Sequence, residues 1–512
     1  MTQAVSAALR VNPHLIQINA AFFLSRMRRK HGSGLTLSAI PDREWRAFKD
    51  SGFDCVYLLG VWRRSPGSRK KALKEPNLIK AYDLTLPGWK AADVGGSSFS
   101  IADYSLEPFL GRADELGDLR QQLNRLGLKL ILDFVPNHLA FDHPWTREFP
   151  DRFVRCRKET LKTHPEWFFN PGPGLEPMAH GRDPYYAAWN DTVQLDHFNP
   201  ETRSAMKEEL LRIAEVCDGV RCDMSMLVLT EVFEWIWGRH LSGGFKRPKK
   251  EFWGEAIGEV RKRWPAFVFI AEVYWQKENR LLELGFDYTY DKPFADALLG
   301  GTADSVRSLL GAEQSFQARM ARFTENHDEE RSRQAAGDGK SAAAAAALAT
   351  LPGLRFIQDG QMEGHRVRTP IHLLREAETP VDARVLDRYG RILEFADHDA
   401  MHSGVWNRLD AEAVGEWDGH ENLLAWTWVR GADRRLVVIN YADSPSKGRV
   451  RIPDSFVGSE QTVRLSDRWA DAVYERHSAE MVSEGLYIAL DGWQAHYITG
   501  DLSAEEFRGS SA

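Results

Sequence analysis

The segment LKLILDFVPNH, residues 128–138, is an apolar run that ends in polar side chains. Residues 128–135 are almost continuously apolar, which is typical of a strand that is buried on both faces. Asp133 lies near the carboxyl end of this run, and Asn137 and His138 follow it. Strands of this kind belong to parallel sheets, which need a helical crossover between consecutive strands. The segment therefore predicts an α/β fold.

Similar runs recur along the chain with helical patterns between them. They are HLIQINAAFF (14–23), CVYLLGVW (55–62), GVRCDMSM (219–226), FVFIAEVYW (267–275), FDYTYD (286–291), ARFTENHD (321–328) and LRFIQDG (354–360). Helical patterns at 41–50, 201–216, 252–264 and 341–351 separate several of them. Eight strands that alternate with helices indicate a closed (β/α)8 TIM barrel. The alternative is a doubly wound open sheet, but no GxGxxG or Walker glycine pattern follows the early runs.

Two long loops and a change of pattern divide the chain into domains. Residues 63–111 and 139–200 are too long for ordinary connections between a strand and a helix. After about residue 405, short strand patterns follow one another with turns and without helices, which is typical of a β-sandwich. We predict a barrel domain at 1–138 and 201–404, an inserted domain at 139–200 after the third strand, and a C-terminal all-β sandwich domain at 405–512.

Composition excludes several classes of function. The chain has 512 residues, of which 43% are hydrophobic, so it can bury a large core. A net charge of -7 without a long lysine and arginine block argues against nucleic acid as a partner. Its four cysteines show no metal spacing and are too few for a disulfide framework. No signal-peptide pattern and no apolar stretch of about 18 residues occur, so we expect a soluble cytoplasmic protein with no membrane partner.

Carboxylates occupy the carboxyl ends of four predicted barrel strands. They are Asp133, Asp223, Glu272 and Asp328. Barrel enzymes place their chemistry at this end of the strands, and an ionised group beside an apolar strand is costly unless it is paired. The alternative is that all four carboxylates form structural salt bridges. That would require a structural ion pair to occur by coincidence at the end of each of these four strands. The strand ends therefore predict an active site.

These four strand ends read DFVPNH, GVRCD, AEVYW and ENHDEER, in that order along the chain. They resemble the four signature regions of the α-amylase family of retaining glycoside hydrolases and transglycosylases. Similarity to the family extends over SFSIADYSLEPFLG (98–111), LDHFNP (195–200) and LPGLRFIQDGQMEG (351–364). The resemblance covers roughly residues 14–370 and implies a retaining enzyme that acts on α-linked glucans or oligosaccharides, most simply by hydrolysis of α-1,4 links.

Two other functions stay open on the sequence. A transglycosylase, such as a glucanotransferase, uses the same carboxylates in the resembled family. A catalytically inert sugar-binding scaffold is the third class, because a fold alone does not give activity. The intact Asp223, Glu272 and Asp328 argue against the inert scaffold. The 17 tryptophans favour a carbohydrate ligand in every case, because sugar rings stack on indole faces.

The resemblance implies a role for each of three carboxylates. Asp223 would be the nucleophile and Glu272 the acid and base, while Asp328 would bind sugar hydroxyls and stabilise the transition state. Arg221 precedes Asp223 by two residues, so on a strand both side chains point the same way. Its guanidinium is expected to lower the pKa of Asp223. We expect Glu272 to stay protonated because other carboxylates surround it.

The same resemblance assigns further residues to substrate binding. His138 and His327 would hydrogen-bond to the sugar at the cleavage point, although a core histidine bonded to a backbone carbonyl is the alternative for each. Phe99 stands where a tyrosine commonly stacks on the sugar. Met226 and Leu227 replace a Lys-His pair that often serves the acceptor. They predict an apolar acceptor side and measurable transfer beside hydrolysis.

No cofactor is expected, and no residue is assigned as a metal ligand. Asn137 joins a calcium site in many members of the resembled family, but such a site needs about six to eight oxygens, several of them carboxylate. Residues 139–200 contain only scattered aspartates. Calcium is possible but not expected to be essential, so after chelation with EDTA the enzyme should stay folded and active. Unfolding or complete inactivation after chelation would show that a metal ion is essential.

Overall fold

Eight parallel strands close into a barrel in the computed structural model, which describes residues 8–501 except 242 and 460. The barrel strands are β1 (His14–Asn19), β2 (Cys55–Leu59), β3 (Lys129–Phe134), β4 (Gly219–Cys222), β5 (Val268–Ala271), β6 (Tyr288–Tyr290), β7 (Met320–Arg322) and β8 (Leu354–Gln358). Each strand pairs with its neighbours in the sequence, and β8 pairs with β1 to close the ring. The predicted barrel is confirmed.

Helices connect the barrel strands and cover the outside of the barrel. From β1 to the end of the barrel region they are Ala20–His31, Asp42–Asp50, Pro66–Ala72, Pro76–Thr85, Glu115–Arg125, Trp145–Glu148, Lys158–Thr163, Pro200–Val216, Thr230–Trp237, Phe252–Arg263, Glu278–Glu283, Lys292–Gly300, Ala303–Leu309, Gln314–Gln317, Ser332–Thr350, Ala383–Ala396 and Asp399–Ser403. The helix predicted at 341–351 begins earlier, at Ser332, and is interrupted at Gly337, whose φ is 75°. Among the described residues, no helix is long and apolar enough to cross a membrane.

The barrel strands are shorter than the apolar runs that predicted them. Every residue of β2 and of β4 is buried, which accounts for the continuous apolar character. β4 ends at Cys222 and β5 ends at Ala271, one residue before Asp223 and Glu272 respectively. The pairing of β4 with β5 therefore stops where the polar side chains begin. These side chains project from the carboxyl face of the barrel.

Both long loops carry secondary structure and bind each other. Trp62–Arg64 pairs with Ile101–Leu106 in the first loop, and the insertion after β3 contains the pairs His138–Ala140 with Thr192–Gln194 and Phe168–Phe169 with Met178–Ala179. Asp142 accepts hydrogen bonds from Ser65 Oγ at 2.5 Å and from Gly67 N at 2.8 Å. Asp191 accepts one from Ser68 Oγ at 2.6 Å. Helix Pro66–Ala72 is thereby fixed to the insertion above the barrel.

An antiparallel β domain follows the barrel. Its larger sheet has the strand order Val405–Leu409, Leu423–Arg430, Asp433–Asn440, Ala495–Asp501, Thr462–Asp467 and Ala472–His477, and its smaller sheet contains Ala411–Glu412, Ser446–Val450 and Leu486–Leu490. Leu436, Val463 and Ile488 belong to a core of its own. The expectation that this region has no helices was wrong, because short helices at Asp454–Val457 and Ser478–Ser483 connect its strands. The residue limits drawn for the domains stay a prediction.

Trp428 joins the β domain to the barrel. Its indole Nε1 donates to the carbonyl of Thr350 at 2.7 Å, and its side chain is buried. Trp428→Phe would remove that donor and leave a gap, so we expect the free energy of unfolding to fall by about 2–4 kcal/mol. Urea denaturation followed by circular dichroism measures the change. The control is Trp417→Phe at a fully exposed tryptophan, which should change the free energy of unfolding by less than about 0.5 kcal/mol. Equal effects of the two changes would show that Trp428 does not join the two domains.

Candidate active site

The guanidinium of Arg221 lies at the centre of the carboxyl face of the barrel. Its Nη1 is 2.8 Å from Asp223 Oδ1 and 3.3 Å from Asp133 Oδ1, and its Nη2 is 2.7 Å from Glu272 Oε2. The register of β4 places Arg221 beside Asp133 of β3 on one side and beside Ile270 of β5 on the other. Three neighbouring strands thus bring three carboxylates to one buried cation.

Asp133 anchors Arg221, and both of its carboxylate oxygens accept hydrogen bonds within the protein. Tyr57 Oη donates to its Oδ1 at 2.6 Å, and the N–H of Gly60 donates to its Oδ2 at 3.2 Å. The contact with Arg221 engages the same Oδ1. This tie between Asp133 and Arg221 orients the guanidinium toward the other two carboxylates.

Asp223 is buried at the edge of a cavity and binds Arg221 through Oδ1. We expected Arg221 to lower the pKa of Asp223. Burial has the larger effect and raises the pKa of Asp223 to about 6; Arg221 opposes the rise, and Asp133 adds to it. Arg221 thus acts in the predicted direction, but the net shift is upward, because the sequence does not show how completely a carboxyl is removed from water.

Glu272 has one oxygen held by donors and one that faces a tyrosine. The N–H of Met224 donates to Oε2 at 2.7 Å, and Arg221 lies against the same oxygen. Tyr274 Oη lies 3.0 Å from Oε1. Burial raises the pKa of Glu272 to about 7, Arg221 opposes this, and Asp223 and Asp328 add to it. Because Oε2 is occupied by donors, the proton of the acid is best placed on Oε1.

Asp328 and His327 form a pair at the end of β7. His327 Nε2 lies 3.0 Å from Asp328 Oδ2, and Gln17 lies 2.9 Å from the other ring nitrogen, Nδ1. Although desolvation opposes it, His327 lowers the pKa of Asp328 to about 2. About half of the Asp328 side chain is exposed, and it lines the cavity. The Phe99 ring lies 5.2 Å from the His327 ring. Asp328 is thus an ionised hydrogen-bond acceptor beside an aromatic face.

A cavity of about 400 Å³ opens above these residues. Asp223, Glu272, Asp328, Phe99 and His138 line it together, so the structure brings most of the predicted site residues to one place. Burial lowers the pKa of His138 to about 4, which keeps its ring neutral. The sequence did not reveal the other walls, which carry the polar or aromatic side chains Lys71, Glu75, Trp189, Asp191 and His372. They lie in irregular segments or short helices outside the four signature regions.

Met226 and Leu227 do not reach this cavity. Their side chains are 0% and 1% exposed, in the short 3-10 helix Ser225–Val228 that follows β4. Met224 adopts a left-handed conformation with φ 42° and ψ 46°, which turns the chain directly after Asp223. As a result Met224 lines the cavity, and Met226 and Leu227 point into the core. The predicted acceptor role of these two residues was wrong.

Both polar atoms of the Asn137 side chain have partners within the protein. Its Oδ1 accepts from Gln194 Nε2 at 3.0 Å, and its Nδ2 lies 3.3 Å from His138 Nδ1. Among the described residues, the groups of side chains near enough to share a metal ion are His14 with Asp397 and His402, and Asp418 with His420 and Glu421. Neither group lines the cavity.

Comparisons with known proteins give the same family for the chain. The family model for the alpha amylase catalytic domain matches residues 91–371, more than half of the chain. Alpha-amylase 3 of Dictyoglomus thermophilum is 24% identical over 304 residues, which cover 54% of this chain and 56% of that protein. Alpha-amylase MalA of Haloarcula japonica is 24% identical over 361 residues, which cover 67% and 48% respectively. The chain therefore spans about half the length of these curated relatives.

Solved structures show the same fold. The alpha-amylase from Geobacillus thermoleovorans, crystallised with acarbose, superposes with a TM-score of 0.66 at 17% sequence identity. The alignment covers 96% of this chain and 99% of that chain. The likeness includes the barrel and the C-terminal β domain, since almost the whole of both chains is aligned.

The pKa values of Asp223 and Glu272 predict a narrow pH optimum. A reaction that needs an ionised Asp223 loses rate as pH falls through about 6, and one that needs a protonated Glu272 loses rate as pH rises through about 7. We expect a bell-shaped pH profile of kcat/KM with these two limbs. The two apparent pKa values belong to the coupled pair of Asp223 and Glu272 and not to either residue alone.

The profile is measured with a maltooligosaccharide, whose leaving oxygen takes its proton from the acid; α-glucosyl fluoride would hide the upper limb, because fluoride departs without a proton from the enzyme. Glu272→Gln should abolish the upper limb and keep the lower one. Glu330→Gln, at an exposed neighbour of the site, is the control and should keep both limbs. An upper limb that persists in Glu272→Gln would show that another group is the acid.

Proposed function

The chain belongs to the α-amylase family, and from this premise we propose that it is a retaining glycosidase that cleaves α-linked glucans or oligosaccharides, most simply by hydrolysis of α-1,4 links. One observation carries the proposal: Asp223 and Glu272 bind adjacent nitrogens of a single guanidinium at the edge of the cavity. Retaining enzymes need their two carboxyl groups about 5–5.5 Å apart, and a shared guanidinium favours such a short separation.

The first step forms a covalent glycosyl-enzyme. An oxygen of Asp223 attacks the anomeric carbon of the bound sugar while the bond to the leaving oxygen breaks. Glu272 gives its Oε1 proton to that oxygen, so the released chain leaves as a neutral alcohol. The pKa order of the two groups supports these roles, because between about pH 6 and 7 Asp223 is ionised while Glu272 is protonated.

The second step returns the free enzyme. Glu272, now ionised, takes a proton from a water molecule, and the resulting oxygen attacks the same anomeric carbon. The bond to Asp223 breaks, and its electron pair returns to the carboxylate, which Arg221 stabilises through Nη1 at 2.8 Å. Two inversions leave the α configuration unchanged. Tyr274 Oη, 3.0 Å from Oε1, stabilises the ionised state of Glu272 that this step requires.

Other side chains of the cavity hold the sugar that reacts. Asp328 is ionised and half exposed, so it can accept hydrogen bonds from sugar hydroxyls. His327 orients Asp328, and the neutral ring of His138 offers a further polar contact. Phe99 supplies an apolar face beneath the ring. Contacts that strengthen as positive charge develops on the sugar lower the barrier and do not merely improve binding.

Transglycosylation by the same carboxylates is the second candidate. It differs only in the second step, where a sugar hydroxyl takes the place of water. Trp275, three residues after Glu272, meets the exposed ring of Tyr185 and favours this candidate, because such rings can hold an acceptor sugar. The cytoplasmic location is likewise a proposal, supported by four cysteines that are all free and buried.

The roles of Asp223 and Glu272 predict two inactive variants that keep their fold. Asp223→Asn should lose nearly all turnover of a maltooligosaccharide because the covalent route is blocked. Glu272→Gln should lose roughly 10²–10⁴-fold because the leaving oxygen is no longer protonated. Proton NMR of the newly released anomeric centre should show the α form first in the wild type.

The control is again Glu330→Gln, which should stay near wild type. Retention of more than a tenth of wild-type turnover by Asp223→Asn would exclude it as the nucleophile, and an initial β product would exclude the retaining mechanism. Chromatography of the products at high oligosaccharide concentration separates the two candidate functions, since chains longer than the substrate appear only by transfer.

A further inference from the structure

Gln17 carries a buried side-chain amide on the barrel strand β1. The residue is 1% exposed, and its partner in the pairing of β1 with β8 is Gln358. Gln17 Nε2 lies 2.9 Å from His327 Nδ1. A buried amide is costly unless its polar atoms have partners, so a purely structural role is the simplest explanation. The contact with His327 nevertheless connects Gln17 to Asp328 of the active site.

A small polar chamber of about 20 Å³ adjoins His327, and Gln17, Asn19, Arg331 and Gln358 contribute to its walls. Four buried atoms of these residues have no hydrogen-bond partner within the described part of the chain: the donors Asn19 Nδ2 and Arg331 Nε and the acceptors Gln17 Oε1 and Gln358 Oε1. Turning the Gln17 amide over would set three donors against one acceptor. The chamber therefore favours the orientation in which Gln17 presents Nε2 to His327.

The two neighbours of the His327 ring select one of its three protonation states. A proton on Nδ1 alone would leave a lone pair on Nε2, 3.0 Å from Asp328 Oδ2, so the carboxylate disfavours that state. Asp328 accepts either the neutral ring with its proton on Nε2 or the doubly protonated cation. In the cation, the N–H at Nδ1 would meet an N–H of Gln17. Gln17 therefore selects the neutral ring with its proton on Nε2.

The carboxylates near His327 would by themselves favour the cation. Asp328 lies against the ring, and Asp133 is within electrostatic reach of it. The other charged side chains of the chamber are Arg331, Asp359, Arg368 and Glu376. Three of these four form ion pairs with side chains other than His327, and Arg368 donates to the backbone carbonyl of Asp328. The amide of Gln17 thus acts against the charge of its surroundings.

The protonation state of His327 matters for the proposed reaction. Positive charge develops on the sugar in the transition state, and Asp328 stabilises it by its own negative charge. A protonated His327 would offset that charge and add a positive charge beside the sugar. A neutral ring with its proton on Nε2 can still orient Asp328 and leaves the carboxylate fully charged.

We propose that Gln17 is a positioning residue that holds His327 neutral, with its proton on Nε2, so that Asp328 meets the reacting sugar with its full negative charge. This inference rests on the proposed function. Gln17 does not line the cavity that holds the sugar, so it acts through His327.

Nitrogen-15 NMR of protein labelled in its histidine rings measures the protonation state directly. The His327 signals are identified by their absence in His327→Asn. Near neutral pH we expect a neutral His327 ring that is protonated at Nε2. A cation, or a proton on Nδ1, would overturn the inference, and this measurement requires neither activity nor a folded Gln17 variant.

Gln17→Glu tests the consequence for the reaction, because it keeps the shape of the side chain and replaces the donor with a carboxylate. That carboxylate accepts from Nδ1, so the His327 cation persists to higher pH. The readout is the pH profile of kcat/KM on α-glucosyl fluoride, which shows the acid limb alone because fluoride needs no proton. We expect this limb to move up by about one pH unit or more, since the rate returns only when His327 becomes neutral.

Gln358→Glu is the matched control. It places the same charge in the same chamber, but Gln358 Oε1 is not bonded to His327. The acid limb of this variant should stay near its wild-type position. An equal movement in both variants would show a general effect of charge and overturn the inference, as would an unmoved limb in Gln17→Glu. Gln17→Met, which removes the donor without adding charge, should move the limb in the same direction by less.

The two proposals fail in different ways. A wild type that cleaves neither α-glucosyl fluoride nor a maltooligosaccharide would overturn the proposed function and with it the catalytic part of this inference, while the NMR spectrum would still decide the state of His327. A wild type that cleaves both, with a His327 cation near neutral pH, would overturn the inference and leave the proposed function standing.

Discussion

One buried guanidinium organises the catalytic face of this barrel. Arg221 is almost inaccessible to solvent, and a buried cation is strongly unfavourable unless carboxylates compensate it. Asp133, Asp223 and Glu272 all bind it, so the carboxylates exceed the cation in charge. A site of low dielectric does not keep that excess ionised, and one carboxyl holds a proton instead. The same constraint that fixes the geometry therefore also raises the pKa of Glu272 to about 7, which is the property that the proposed acid needs.

The barrel can hold Arg221 and its three carboxylates in this arrangement, which no single helix or loop could do. Adjacent parallel strands set Asp133 and Arg221 side by side, and β5 ends where Glu272 can reach the other face of the guanidinium. Backbone donors complete the network: Gly60 holds Asp133, and Met224 holds Glu272. Because Arg221 of β4 binds carboxylates from β3 and from the end of β5, the positions of these groups follow from the order of strands in the barrel and not from the loops above it.

The sequence predicted the features that are local and failed where the outcome depends on tertiary structure. The barrel and its carboxylates were readable because a buried strand leaves a continuous apolar run, and the polar residue that ends the run stands beside it in the chain. The pKa of Asp223 was misjudged because its neighbour Arg221 is visible in the sequence, whereas burial is not. Met226 and Leu227 were misplaced because one left-handed residue, Met224, reverses the side chains that follow. Lys71 and His372 carry no periodic signal and meet the cavity only through folding.

The surroundings of Glu272 bear on whether water or a sugar hydroxyl completes the proposed second step. The cavity is lined in part by helix Pro66–Ala72 and the insertion, which hydrogen-bond to each other. The exposed rings of Tyr185 and Trp235 meet that of Trp275, which stands on a left-handed turn three residues after Glu272. The cavity holds the reacting sugar in the same way for proposed hydrolysis and for proposed transfer. Its contacts therefore do not discriminate between water and a sugar hydroxyl. On the proposed mechanism, discrimination between them depends instead on whatever holds an acceptor outside this cavity.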